Sequence, residues 1–330
     1  MRLRRLAGVI ALSGVMSFAT APLASAAEIV VTHWSSLLYG VPYAIAMEKG
    51  YFKEEGVDVT GILSSKGGGT SVRNLMAGET LYAEVALPAA LAAIKEGFPI
   101  KILAGGTDGS SSHWVSRADA KYDTPADLKG RRFAYSRPKS VSESSILSAL
   151  ASQGLSVEDV KMVAVGDFGA GMTALEHDKV DVAILPEPIY SLKVKEGGKF
   201  RLMNWFGAKV PRYTQTVGVA TLDNIEKRGK EIEALVKARR RGVEFLYANP
   251  DEAAKILAEA YNLAPDVAAG AMTNILKLNP TWWNPGRLDY EGMANMSEAL
   301  ASIGLLKLPI DWNAVTDERF LPADLKRPAG

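Results

Sequence analysis

Short runs of β-branched and aliphatic residues alternate with stretches whose apolar positions recur every three to four residues. This alternation fills the first two thirds of the chain. Strands are expected at 29–33, 57–63, 83–87 and 100–104, with helices at 39–50, 70–77 and 88–96 between them. Gly50 and Gly56 punctuate the first helix and the turn after it. Pro88 suits a first helical position, and Gly97 stops that helix. The plan then repeats, with strands at 131–135, 160–165, 181–185 and 199–203 and helices at 141–153, 170–177 and 187–196. Thr124-Pro125-Ala126-Asp127 reads as an N-cap followed by a first-turn proline. Ser140 and Glu143 have the spacing of a capping box, and Gly154 ends that helix. Strands separated by helices argue for parallel βαβ units and an α/β fold.

Two polar stretches interrupt the series. Asp108-Gly109-Ser110-Ser111-Ser112-His113 precedes a strand-like run at 113–117, and the polar stretch 210–216 precedes another at 217–221. We read them as two crossings between lobes. Lobe I is then expected to hold 27–111 and 217–330, and lobe II to hold 112–216. The last third is helical. Ile232, Leu235, Val236, Val243, Leu246 and Tyr247 keep one stripe. Asn249, Pro250 and Glu252 suggest another capped helix start. The basic run 237–241 has acids around it in sequence and reads as a solvated helix face. Trp282 and Trp283 read as packing residues in a loop.

Composition adds a compartment. Arg2, Arg4 and Arg5 precede an uncharged, mostly apolar stretch at 6–21, and Ala24-Ser25-Ala26 is an A-x-A cleavage site. An export signal at 1–26, cut after Ala26, is expected. Gly8, Ser13, Gly14 and Pro22 interrupt the segment and argue against a membrane anchor. The chain has 38 basic and 37 acidic residues; removing three arginines leaves 35 against 37, a net charge of −2, and no electrostatic case for nucleic acid. The absence of cysteine excludes a disulfide, a thiolate nucleophile, a Cys-ligated metal and a lipid-anchoring cysteine. A free, monomeric periplasmic protein is the expectation.

Ligands of open parallel sheets bind beyond the carboxyl ends of the strands, where helix N-termini point. Ser65, Lys66, Gly67, Gly68, Gly69 and Thr70 follow the second strand and open a helix. Glycines there admit close backbone approach, and orphan N–H groups favour an anion. Ser136, Arg137, Ser140, Val141 and Ser142 form the matching loop, with Lys139 as a second cation. Arg137 is the better oxyanion ligand because a guanidinium binds in bidentate fashion. Ser35, Ser36 and Tyr39 follow the first strand, Leu87 and Pro88 the third. Ser111 and Ser112 sit at the first crossing, beside Ser110. Phe168 and Glu187 follow strands of the second half. A carboxylate facing an anion is unfavourable, so Glu187 binds an ammonium or hydroxyl group, caps its helix or pairs with a lysine. No nucleotide or nucleophile-elbow motif occurs, and His33, His113 and His177 lack metal-ligand spacing. The chain reads as a binder of a small molecule, without catalytic residues, metal or cofactor.

Several motifs, in order, carry a resemblance. They are the run at 43–52 followed by Val57-Asp58-Val59; Gly68-Gly69-Thr70 with Ala77-Gly78-Glu79; the run at 124–131; and Ile184-Leu185-Pro186-Glu187-Pro188-Ile189-Tyr190. Together they resemble periplasmic substrate-binding proteins of the nitrate/sulfonate/taurine class of ABC importers, which are related to binders of thiamine-pyrimidine precursors. The resemblance implies a type II periplasmic-binding-protein fold with two α/β lobes and a two-strand hinge. It implies delivery of a solute to a membrane permease and ATPase, and it makes the loops named above the ligand loops. Pro186 stands where the family commonly has tryptophan, which loosens the ligand identity. A small organic anion is expected, an aliphatic sulfonate first and an aromatic or heterocyclic acid second. Enzymes of the same fold, of the pyrimidine-precursor or menaquinone-pathway type, and periplasmic sensor proteins are the alternatives.

Overall fold

The computed structural model describes residues 26–78 and 80–328. The expected export signal lies outside the described residues except for Ala26, which opens the first strand.

Ten strands form two five-stranded sheets. The first sheet holds β1 (Ala26–Thr32), β2 (Asp58–Ser65), β3 (Thr80–Ala86), β4 (Ile100–Asp108) and β10 (Thr214–Thr221), in the order β2-β1-β3-β10-β4. The second holds β5 (Ser112–Arg117), β6 (Arg132–Tyr135), β7 (Lys161–Ala164), β8 (Val182–Pro186) and β9 (Phe200–Leu202), in the order β7-β6-β8-β5-β9. In each sheet the strand that follows a crossing runs antiparallel to its neighbours, β10 in the first and β5 in the second. The remaining pairings are parallel. The crossings touch, for the Gly109 N–H donates to the Tyr213 carbonyl at 2.6 Å.

Local chemistry explains most element ends and several departures from expectation. The helix expected at 39–50 forms as α1 (Val41–Glu48), and a second short helix, α2 (Tyr51–Glu55), stands where a turn was expected, because the chain restarts after Gly50 takes a left-handed φ of 72°. Next come α3 (Gly68–Met76), α4 (Leu87–Lys95), α5 (Val141–Ser152), α6 (Phe168–Glu176) and α7 (Ile189–Lys195). The box before α5 is half formed. Ser140 Oγ accepts the Glu143 N–H at 3.2 Å, but the Glu143 carboxylate turns to the Lys139 N–H at 2.6 Å. The Thr124 box closes only a short 3-10 turn, Pro125–Leu128. Asn249 does not cap its helix; its amide donates back to the Phe245 carbonyl, and Glu252 pairs with Lys49 instead.

Helices α8 (Leu222–Lys227), α9 (Gly229–Ala248), α10 (Pro250–Tyr261), α11 (Pro265–Leu278) and α12 (Tyr290–Ser302) complete the main architecture, ahead of the short α13 (Trp312–Val315). Ile232, Leu235, Val243 and Leu246 of α9 share one apolar core with Val30, Val85 and Val219 of the first sheet. The second sheet separates two smaller cores. Trp114, Phe133 and Ile184 face one and their chain neighbours Val115, Ala134 and Leu185 face the other, as the two-residue period of a strand requires.

The basic run 237–241 is not uniformly solvated. Helical phase leaves Lys237, Arg240 and Arg241 in surface ion pairs, but Arg239 is 2% exposed. Its Nε lies 3.0 Å from the carboxylate of Glu84, which is 1% exposed in the middle of β3. Arg239 also donates to the Asn284 and Gly106 carbonyls at 2.6 and 2.7 Å. Trp282 and Trp283 are buried, and the Trp283 indole donates to the Leu38 carbonyl at 2.9 Å.

Candidate ligand-binding cleft

The strand ends of the two sheets face one another across a cleft, and two small cavities of about 20 Å³ each lie there. The first is walled by Thr32, His33, Tyr39, Gly67, Gly68, Ala86 and Thr216 on one side. Ser136, Ser140, Val141, Ser142 and Phe168 close it on the other. The second lies toward the crossings, between Tyr39, Ser110 and Tyr213 and the second-half residues Ser112, Trp114, Ser145, Ile184 and Pro186. Tyr39, Val141, Ser142 and Phe168 belong to both. Each cavity has room for about one water. Small-molecule sites usually measure roughly 300–1,000 Å³, so neither cavity as it stands holds a solute of that size. Larger grooves exist, such as one of about 470 Å³ between α10 and α11 lined by Pro250, Ala254, Met272 and Leu276. Those are not at the strand ends, and the site belongs where both sheets and several helix N-termini converge.

The first face is built on buried charge. Thr216 Oγ1 donates to Glu84 Oε1 at 2.8 Å, and the Tyr43 hydroxyl donates to Glu84 Oε2 at 2.8 Å. Tyr39 donates to Gln215 Oε1 at 3.2 Å, and the Gln215 amide is itself turned to the Gly109 carbonyl. Burial holds both the Tyr39 and Tyr213 phenols above their ordinary range, so both stay protonated. His33 is pulled down to about 4, first by burial and then by Arg137, with Asp167 opposing. It presents a neutral imidazole, edge-on to the Phe168 ring across the cleft at 6.1 Å between centroids. A side chain at Gly68 would meet Ala89 Cβ at 2.6 Å, so only glycine lets the start of α3 lie against the β3–α4 junction.

The second face is built on serines and rings. Ser142 Oγ accepts the Ser136 N–H at 2.9 Å and lies 2.9 Å from the hydroxyls of both Ser136 and Ser140. Ser145 and Tyr213 share a hydroxyl bond at 3.1 Å. Asp167 caps α6 by accepting the Ala170 N–H at 2.8 Å. No ionised side chain lines either cavity.

Of the residues expected from sequence, Tyr39, Gly67, Gly68, Ser112, Ser136, Ser140, Val141, Ser142 and Phe168 lie on these walls. The others lie elsewhere. Ser35 and Ser36 are exposed on a turn outside the cavities, and Ser36 bonds back to the His33 carbonyl. Ser65 is buried against Ser71, Lys66 and Gly69 face solvent, and Thr70 accepts from Arg73. Leu87 and Pro88 are consumed by the core at the start of α4, and Ser111 is buried beside Gln215. Arg137 points to the rim, where its Nε donates to the Gly166 carbonyl at 3.1 Å. Lys139 reaches Glu96 of the other half at 2.7 Å. The loop before α5 turns Ser136 inward, while Arg137 and Lys139 bond to the Gly166 carbonyl and Glu96 and line neither cavity. Glu187 is 1% exposed and caps α7 through the Ser191 N–H. Its other oxygen accepts from Asn274 of α11 at 2.7 Å, and burial raises its pKa.

Thr32, His33, Ala86, Trp114, Ser145, Ile184, Tyr213 and Thr216 were not singled out from sequence. Thr32 and His33 obey the strand-end rule and could have been. Trp114 and Ile184 carry no local signal beyond ordinary core alternation. Among the described residues no cluster of His, Cys, Asp and Glu side chains is arranged to hold a metal, and no helix is long and apolar enough to cross a membrane.

A family model described as NMT1/THI5 like matches residues 39–253. A formylaminopyrimidine-binding protein of Halalkalibacterium halodurans is 27% identical over 64% of this chain, and the match spans 64% of that relative's length. The riboflavin-binding protein RibY of Chloroflexus aurantiacus is 23% identical over 85% of this chain and 82% of its own. The periplasmic aliphatic sulphonate binding protein SsuA of Escherichia coli superposes with a TM-score of 0.69 at 16% identity, covering 90% of this chain and 93% of its own. The desulfurization enzyme DSZB shares the fold at a TM-score of 0.62 and 15% identity, covering 89% and 97%.

Proposed function

The chain belongs to the NMT1/THI5-like family of solute-binding folds, and we propose that it is the periplasmic component of an ABC importer that captures a planar, uncharged nitrogen heterocycle. The observation that carries this reading is the composition of the cleft walls. Hydroxyl groups, a neutral imidazole and the rings of Tyr39, Trp114, Phe168 and Tyr213 line the cavities, without an ionised side chain. A sulfonate desolvated there would lack a cation, and burying an unpaired charge is costly. A flat heterocycle gains ring contacts and satisfies the hydroxyls. The names of the two relatives, a formylaminopyrimidine binder and a riboflavin binder, are of nitrogen heterocycles and support the same class.

In this reading residues 27–111 with 214–330 form one lobe and 112–213 the other, hinged at the paired crossings; β10 pairs with the first sheet from Thr214 onward, so the second boundary falls three residues earlier than the sequence suggested. A solute enters the parted cleft and favours closure by its higher affinity for the closed state. A shift from 1:99 to 99:1 takes about 5.5 kcal/mol, within reach of stacking plus a few hydrogen bonds. The closed protein then docks on its permease. In this reading the protein binds and releases its solute without chemical change, which the binding proteins among its relatives support.

A thermal-shift screen of pyrimidines, flavins, sulfonates and nitrate, followed by calorimetry, tests the ligand class. Stabilisation by heterocycles and not by sulfonates is expected; the reverse would overturn the reading. Small-angle scattering should show a smaller radius with ligand. Conversion of a bound heterocycle to product would revive the enzyme alternative.

A further inference from the structure

Three hydroxyl-bearing residues of the first face line the same cavity, Thr32, Tyr39 and Thr216. Each has a single proton to give, and the surrounding bonds say where it goes. Arg239 is wholly buried, and its other bonds run to neutral carbonyls, so Glu84 must carry the charge that balances it. A carboxylate only accepts, so Thr216 spends its proton on Glu84 Oε1 at 2.8 Å. The hydroxyl contact between Thr107 and Thr216, also 2.8 Å, is then donated by Thr107. Tyr39 spends its proton on Gln215 Oε1, whose orientation is set because the amide nitrogen faces the Gly109 carbonyl. Thr32 lies 2.9 Å from the Glu84 carbonyl and 2.6 Å from Ser71 Oγ, and its proton points to one of them.

None of the three hydroxyls therefore has a proton left to give to the cleft. We infer that Glu84 is a positioning residue for specificity, making this face an acceptor surface that selects a solute bearing N–H donors, such as an amino or lactam heterocycle. The inference rests on the proposed binding of an uncharged heterocycle in this cleft and adds the polarity of its contacts. It also gives a second reason for excluding oxyanions, which would find no donor among these hydroxyls.

The experiment compares matched probes by calorimetry: 4-aminopyrimidine against 4-(dimethylamino)pyrimidine, and uracil against 1,3-dimethyluracil, with ethanesulfonate and nitrate as anions. The N–H member of a pair that binds is expected to bind at least tenfold tighter. Tyr39→Phe should shrink that preference about fivefold with a modest fall in melting temperature, since Gln215 Oε1 loses its donor, and Thr216→Ser should keep the preference. Glu84→Gln, whose amide donates to Thr216 and frees its proton, should narrow it further. Were Glu84→Gln not to fold, Tyr39→Phe and Thr216→Ser still decide. Equal binding of both members, or a preference untouched by Tyr39→Phe and Glu84→Gln, overturns the inference alone. Binding of ethanesulfonate or nitrate with failure of every heterocycle overturns the proposed function as well.

Discussion

Behind Thr216 on one side of the cleft lies the buried Glu84–Arg239 pair, whereas behind Ser142 on the other side lie only the hydroxyls of Ser136 and Ser140 and the start of α5. The second half keeps its comparable ion cluster, Arg132 with Asp178 and Asp181, at the opposite end of β6 and nearer to solvent. Buried charge fixes hydroxyl direction because every alternative leaves an ion unpaired. A serine cluster can rotate its protons among neighbours at little cost. On the inference drawn above, one face sets the hydrogen-bond polarity of the site in advance, and the other adapts to what arrives. The proposed closure would bring a rigid surface and a compliant one onto the same solute.

The largest expected effect breaks the rigid face. Arg239→Met strands Glu84 in the core and should cost about 3–5 kcal/mol in denaturant unfolding. Adding Glu84→Leu should recover much of that loss, because a matched apolar pair removes both buried charges. Arg132→Met in the second half should cost far less; an equal loss would erase the contrast between the halves.

Next comes pH. His33 has a native pKa of about 4 against an ordinary 6.5. Between those values the unfolded chain binds more protons than the native state, so stability rises with pH through that window and is lost on acidification. The shift corresponds to at most about 3 kcal/mol, and to less because the ring is partly exposed. His33→Asn should flatten the stability profile between pH 4 and 6.5; an unchanged slope would remove His33 as its source.

A smaller effect tests the link between the halves. Asn274→Ala leaves one oxygen of the buried Glu187 without its 2.7 Å partner and should cost about 1–3 kcal/mol. The carboxyl of Glu187 is already raised by burial. The native state therefore holds its proton above the usual carboxylate range, and stability falls as pH rises through that interval. Losing the Asn274 donor should widen the interval, and it should enlarge the radius in scattering without ligand. The smallest effects are at the rim. Lys139→Ala removes an exposed pair with Glu96, and Arg137→Ala a bond to the Gly166 carbonyl. Neither should move the unfolding midpoint measurably, nor alter heterocycle affinity more than about twofold.

The strand–helix alternation was legible because period-two and period-3.6 patterns follow from backbone geometry. Glycine and proline marked most ends for the same reason, although Gly50 restarts a helix where a turn was expected. The lining of the candidate cleft was legible where strand-end position decides, as for Tyr39, Gly68, Ser142 and Phe168. It was not legible where side-chain direction decides. Arg137 and Lys139 have the right chemistry in the right loop, and the turn before α5 aims both away from the cavities. Arg239 looked like its neighbours in a basic run, and only the phase of α9 against β3 separates it from Arg240 and Arg241.

By itself, then, the sequence determined an α/β chain of two similar halves followed by a helical last third, since hydrophobic periodicity and turn chemistry are local. The tertiary structure alone decided which polar residues line the cleft and that, among the described residues, no charged side chain does. Those properties depend on burial and on partners 39 to 176 residues away, as for Thr32 with Ser71 and Tyr39 with Gln215, and desolvation acts on neighbours in space, whatever their distance along the chain.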